Sequence, residues 1–125
     1  MGYLFYVKYS PPFNTSMGAP LISEVEIEGM DWQPEVLKKH YFHYDVSATS
    51  GEWVALARYD VGIQRANFQI FLFDAKNKKI YTSKVFEAFP ERLKILDAKK
   101  VRVEYVTGME NQETVISDWE ELPNT

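Results

Sequence analysis

The sequence has no cysteine, only two histidines and no apolar run near the length that carries a helix across a bilayer. Without cysteine there is no disulfide framework, no thiolate metal site and no cysteine nucleophile. With two histidines, the usual nucleophile–base pairs are scarce. Positive charge is short as well. Fourteen Lys and Arg (14) face 18 Asp and Glu, for a formal charge of -4, which is poor footing for binding phosphates. There is no phosphate-cradling glycine loop, dinucleotide fingerprint or nucleophile elbow; Ser50, in Thr49-Ser50-Gly51-Glu52, lacks the elbow's pattern. A short apolar stretch, Tyr3 to Val7, precedes Lys8, the reverse of a secretory signal. The expected location is the cytoplasm, which the missing cysteine suits.

What is present is apolar and aromatic. Hydrophobic residues make up 46% of the 125 positions and aromatics 15%, too many for a disordered tail. The length fits a single domain over 1–125. Rings at that density suit strands and interfaces.

The dominant pattern is period-two alternation in short runs separated by Gly, Pro, Asn and Ser. Residues 3–9 read as a strand, and 10–20, with Pro11-Pro12, Asn14, Gly18 and Pro20, as a loop. Residues 21–28 alternate, with Leu21, Ser23, Val25 and Ile27 on one face and Ile22, Glu24, Glu26 and Glu28 on the other. Asp31 caps a short helix with Pro34 in its first turn. Residues 41–46 alternate again, placing His43 on a half-exposed face, and 47–51 form a turn. Residues 53–59 and 68–73 are apolar on both faces, which marks central strands. Residues 74–78 turn, and 79–86 return as the best-marked hairpin partner. Residues 87–98 fit either a helix started by Pro90, with Leu93 and Leu96 inward, or an irregular edge. Residues 100–106 and 114–119 alternate around a turn, and the tail from Leu122 frays. The fold class is mainly β: an antiparallel β-sandwich or partly open barrel of seven or eight short strands with one or two short helices.

Charge is segregated along the chain. Residues 21–35 hold five acids (Glu24, Glu26, Glu28, Asp31, Glu35) and no base, and 110–125 hold five more (Glu110, Glu113, Asp118, Glu120, Glu121) and no base. Residues 76–102 hold nine bases against three acids. In a strand, Glu24, Glu26 and Glu28 point one way, roughly 7 Å apart. Such a row either solvates an edge strand and blocks aggregation, or awaits a cationic surface and speeds its association.

Other chemistry is thinner. His40, His43 and Asp45 include two ring nitrogens and a carboxylate suited to zinc or iron, but no third histidine exists, so no metal or cofactor is expected. Asp45, Glu52, Asp60 and Asp74 sit at strand ends, and Arg58 with Asp60 reads as a structural ion pair. Tyr81, Phe86 and Tyr105 are the rings an open barrel would stack on a single nucleic acid strand, against which the negative net charge weighs. Trp32, Trp53 and Trp119 are the candidates for sugar stacking, with Trp53 placed in the core.

These residues point to a non-catalytic module that binds and neutralises a basic protein, such as a toxin or nuclease, in the manner of an immunity protein or inhibitor. Its expected contact residues are Glu24, Glu26, Glu28, Asp31, Trp32, Glu113, Asp118 and Glu120. The alternative is a structural β-sandwich subunit of a virion or cell-surface assembly.

Overall fold

The computed structural model describes residues 2–123. In chain order its elements are β1 (Tyr6–Tyr9), β2 (Ile22–Ser23), β3 (Val25–Glu28), α1 (Val36–Lys39), β4 (Tyr41–Ser50), β5 (Trp53–Tyr59), β6 (Phe68–Asp74), β7 (Lys79–Phe86), β8 (Phe89–Asp97), β9 (Lys100–Thr107), β10 (Glu110–Ile116) and β11 (Glu120–Leu122). They form three antiparallel sheets: six strands ordered β11-β7-β6-β5-β4-β2, three ordered β10-β9-β8, and the ribbon β1-β3.

The six-stranded sheet is the middle layer because β5 and β6 are apolar on both faces. Ala55, Ala57, Phe68, Ile70 and Leu72 face the three-stranded sheet, where they meet Leu93, Val101, Val103 and Ile116. Val54, Leu56, Phe71 and Phe73 face the other way and pack under Val25 and Ile27 of the ribbon, with Phe5, Met30 and Leu37 of α1 beside them. Each of these large side chains, fully buried, contributes about 1.5–3 kcal/mol. The pair expected to be central is thus central, third and fourth in the sheet.

Turn chemistry fixes the hairpins. Asp74 is buried and accepts hydrogen bonds from the backbone N–H of Lys76 (3.1 Å) and Asn77 (3.2 Å) and from the Asn77 amide (2.8 Å). Its role is to shape the β6–β7 turn. Gly29 ends β3 at φ +93°, where a Cβ would collide with the carbonyl oxygen of Leu4. Only glycine lets the ribbon close there.

The two sides of the sandwich differ. On one side β4 packs along β8, shutting the gap between the sheets. On the other, β10 is the outermost strand of its sheet and stands apart from β7 and β11. The architecture is sandwich-like and not a closed barrel.

Several expectations are corrected. Eleven strands replace seven or eight, and one four-residue helix is present among the described residues. Residues 21–28 do not form one strand. The chain leaves the main sheet after Ser23, with Ile22 buried and Leu21 exposed, and joins the ribbon at Val25. Residues 87–98 are strand β8, with Leu93 buried and Leu96 exposed. Register breaks at Pro90/Arg92 and Ile95/Asp97 hide its alternation. β4 runs on to Ser50, past the expected turn. The last residues before Pro123 pair as β11; the rest of the expected frayed tail, Asn124 and Thr125, lies outside the described residues.

Candidate functional site

The open side of the sandwich forms a cleft of about 530 Å³. One wall is β7 from Thr82 to Phe86, and the other is the end of β10 from Thr114 to Ile116. The chain crossing between the sheets at Ser117, Asp118 and Trp119 makes the floor, and Glu120 stands at its end. Trp119 is anchored there, its indole N–H donating to the carbonyl of Lys99 at 2.8 Å while its ring packs on the core. Lys84 folds over the Phe86 ring, 5.0 Å from its centroid. Asp118 and Glu120 are exposed and form no ion pair with a base of the chain among the described residues.

The other expected contact residues are scattered. Glu28 is bridged to Lys8 at 3.1 Å, and Lys8 lies opposite Glu26 in the ribbon register. These two carboxylates raise the Lys8 ammonium above its ordinary value, Glu28 through a hydrogen bond and its charge, Glu26 through charge. Glu113 is bridged to Arg102 at 3.6 Å. Glu24 and Asp31 are exposed and form no ion pair among the described residues. Trp32 is half-buried and meets Phe73 edge-on at 6.5 Å, so its ring supports the core. The acidic segments do not meet on one surface. Glu24 leaves the sheet beside β2 and Glu120 opens β11 at the opposite edge, about 24 Å away at the usual strand spacing. Glu113 belongs to the sheet that covers the face opposite the ribbon.

The bases are dispersed too. Lys76, Lys78 and Lys79 lie at the β6–β7 turn, with Lys79 bridged to Glu121 at 3.4 Å. Lys99 and Lys100 sit at the β8–β9 turn, where Lys99 caps the Tyr81 ring at 4.3 Å. Arg102 and Lys94 are paired across β9 and β8, in the same small sheet as Glu104 and Glu113.

His43 is a correction. It is buried next to buried Phe42, because both faces of β4 are covered there, the ribbon side by the core around Phe42 and the other by β8; the register shift between Phe42 and Ser47, with Asp45 at φ 59°, follows it in the strand. Its Nε2 lies 2.8 Å from the carbonyl of Asn67, which makes Nε2–H the donor, and Tyr59 meets the ring edge-on. Burial drives the imidazole down to about 4, only partly offset by that hydrogen bond. Asn67 is itself fully buried and closes the β5–β6 loop: it accepts from the Asp60 N–H at 2.8 Å and donates to the carbonyls of Asp60 and Arg65. Arg58 and Asp60 are 3.8 Å apart, the ion pair expected. His40 lies close enough to both to feel their charges, and burial first, then Arg58, lowers its pKa. His40, Arg58 and Asp60 do not line the cleft. Among the described residues, no three His, Asp or Glu side chains gather to hold a metal, and no helix is long and apolar enough to cross a membrane.

Sequence reasoning marked Asp118 and Glu120, and Phe86 only as a ring for stacking nucleic acid, but missed the rest of the β7 wall, Ser83 to Val85. No local signal carries it, because its exposure depends on β11 ending its pairing at Thr82. No protein-family model matches the chain, and no curated protein or solved structure matches it.

Proposed function

We propose that the protein is a cytoplasmic, non-catalytic binding module that neutralises a basic protein by occupying its cationic surface, as immunity proteins and inhibitors do. The observation that carries this reading is the state of Asp118 and Glu120. Among the described residues the ion pairs engage Glu28, Glu35, Asp60, Glu87, Glu113 and Glu121, and of the acids left unbridged these two line the cleft, where they outnumber Lys84. Uncompensated carboxylates beside a concave, partly apolar surface favour a cationic partner in two ways. They speed encounter, and they gain strength as the partner excludes water. Val85, Phe86, Val115 and Trp119 provide the apolar contact that interfaces place at their centre.

The proposal moves the weight from the ribbon to the cleft. Lys8 already answers Glu28 and faces Glu26, so Glu24 and Asp31 are left as a weaker secondary field.

The test is a tagged pull-down from the native cell with the wild-type chain and with Asp118→Lys/Glu120→Lys. The expected result is one stoichiometric basic protein held by the wild type at low salt and lost with the double variant. An acidic or neutral partner, or equal retention by both chains, would contradict the proposal. A large homo-oligomer would instead favour the structural-subunit alternative.

A further inference from the structure

The two packed sheets are unequal. Six strands lie on one side of the shared core and three on the other. Because β4 and β8 close one side, the shortfall falls beyond β10, over the cleft. β10 pairs with β9 without a register break from Glu110↔Thr107 to Ile116↔Val101. Its outer edge has no strand partner among the described residues, and no backbone hydrogen bond from the 117–119 crossing reaches it.

Free edges are ordinarily blunted by charge, Lys above all, or by Pro, a bulge or brevity. β10 is seven residues long and contains no Pro, no Lys and no bulge. Its charges are Glu110 and Glu113, and Val115 is 49% exposed. A strand laid along this edge would complete a fourth position in the small sheet. Its inward side chains would enter the 530 Å³ cleft toward Val85 and Phe86. Its outward side chains would stand beside Glu113 and Val115.

We propose that β10 is the docking edge for an extended, basic segment of the partner, which adds to the small sheet as a fourth strand with apolar residues inward and Lys or Arg outward. This rests on the functional reading above and specifies how the partner is held. The occupant is basic because both charges of β10 are acidic, with Glu113 bridged to Arg102 and Glu110 unbridged among the described residues, and because Asp118 and Glu120 outnumber Lys84 in the cleft beside it. A second copy of the chain would bring the same acids to meet them. Main-chain hydrogen bonds supply affinity in such strand addition, and alternate side chains supply specificity.

The probe is a capped, alternating Lys–Val heptapeptide, compared with its Glu–Val counterpart and with a Lys–Val peptide N-methylated at alternate residues. Binding is followed on the isotope-labelled full chain by amide shifts and hydrogen exchange. The Lys–Val peptide is expected to shift Glu110–Ile116 and to slow exchange of their outward amides by about tenfold or more, and N-methylation is expected to weaken binding by about tenfold or more. Equal binding of the N-methylated peptide would overturn strand addition while leaving the charge reading standing. Equal binding of the Glu–Val peptide would overturn the charge reading while leaving strand addition standing. No response in β10 at about 1 mM peptide, the weak limit of useful affinity, would overturn the inference. So would a dimer of the chain that protects those amides without peptide.

Discussion

His43 shows how one side chain ties local backbone to stability. Packing on both faces of β4 buries its ring, which donates to the Asn67 carbonyl, and Asn67 in turn pins the β5–β6 loop. Burial lowers the imidazole from 6.5 to about 4. Above pH ~6.5 neither folded nor unfolded chain protonates this ring, so its contribution is whole. As pH falls through that value, the unfolded chain takes up a proton that the folded chain refuses. Stability drains until the folded ring itself titrates, for a loss of about 3 kcal/mol by pH 4. Urea unfolding at pH 7 and pH 4 checks this. A His43→Gln chain should start less stable but lose about 3 kcal/mol less over the interval than the wild type. Equal losses would show that the ring is not buried neutral. The burial itself was not legible. Alternation across 41–46 puts His43 opposite Phe42, as found, but the covering of that second face depends on β8 packing along β4, which no local pattern shows.

At the scale of elements, legibility followed burial. β5 and β6 were marked as central because two-face burial leaves apolar residues at successive positions, and the turn around Asp74 carries its own chemistry. The β2–β3 break was hidden, since Ile22 to Glu28 alternates as if continuous. The chain changes sheet at Glu24 to let the ribbon cap Phe42 and Phe71. β8 was hidden because two register breaks disrupt its period, leaving Leu93 and Leu96 spaced as in a helix. This arrangement predicts a stability gradient. Amides of β5 and β6 should exchange only by global unfolding, whereas those of β2 and β11, short strands at the sheet edges, should exchange far faster. Uniform protection across the six-stranded sheet would contradict the layered core.

For the whole molecule, the charge segregation in the sequence was real, but its spatial meaning was not legible. Pairing depends on register, and the register set Lys8 against the ribbon acids and Arg102 against Glu113. Other acids stay unbridged among the described residues, and those the sequence marked for contact are Glu24, Glu26 and Asp31 on one side and Asp118 and Glu120 at the open cleft. The account therefore assigns partner capture chiefly to the cleft. The most direct measurement is the association rate with the captured partner as a function of ionic strength. It would be made on the wild type, on Asp118→Gln/Glu120→Gln, and on Glu24→Gln/Glu26→Gln/Glu28→Gln. The account predicts a wild-type rate that falls about tenfold or more between 0.05 and 0.5 M salt. It also predicts a larger slowing from the cleft pair than from the ribbon triple. A rate indifferent to salt, or one slowed only by the ribbon triple, would contradict it.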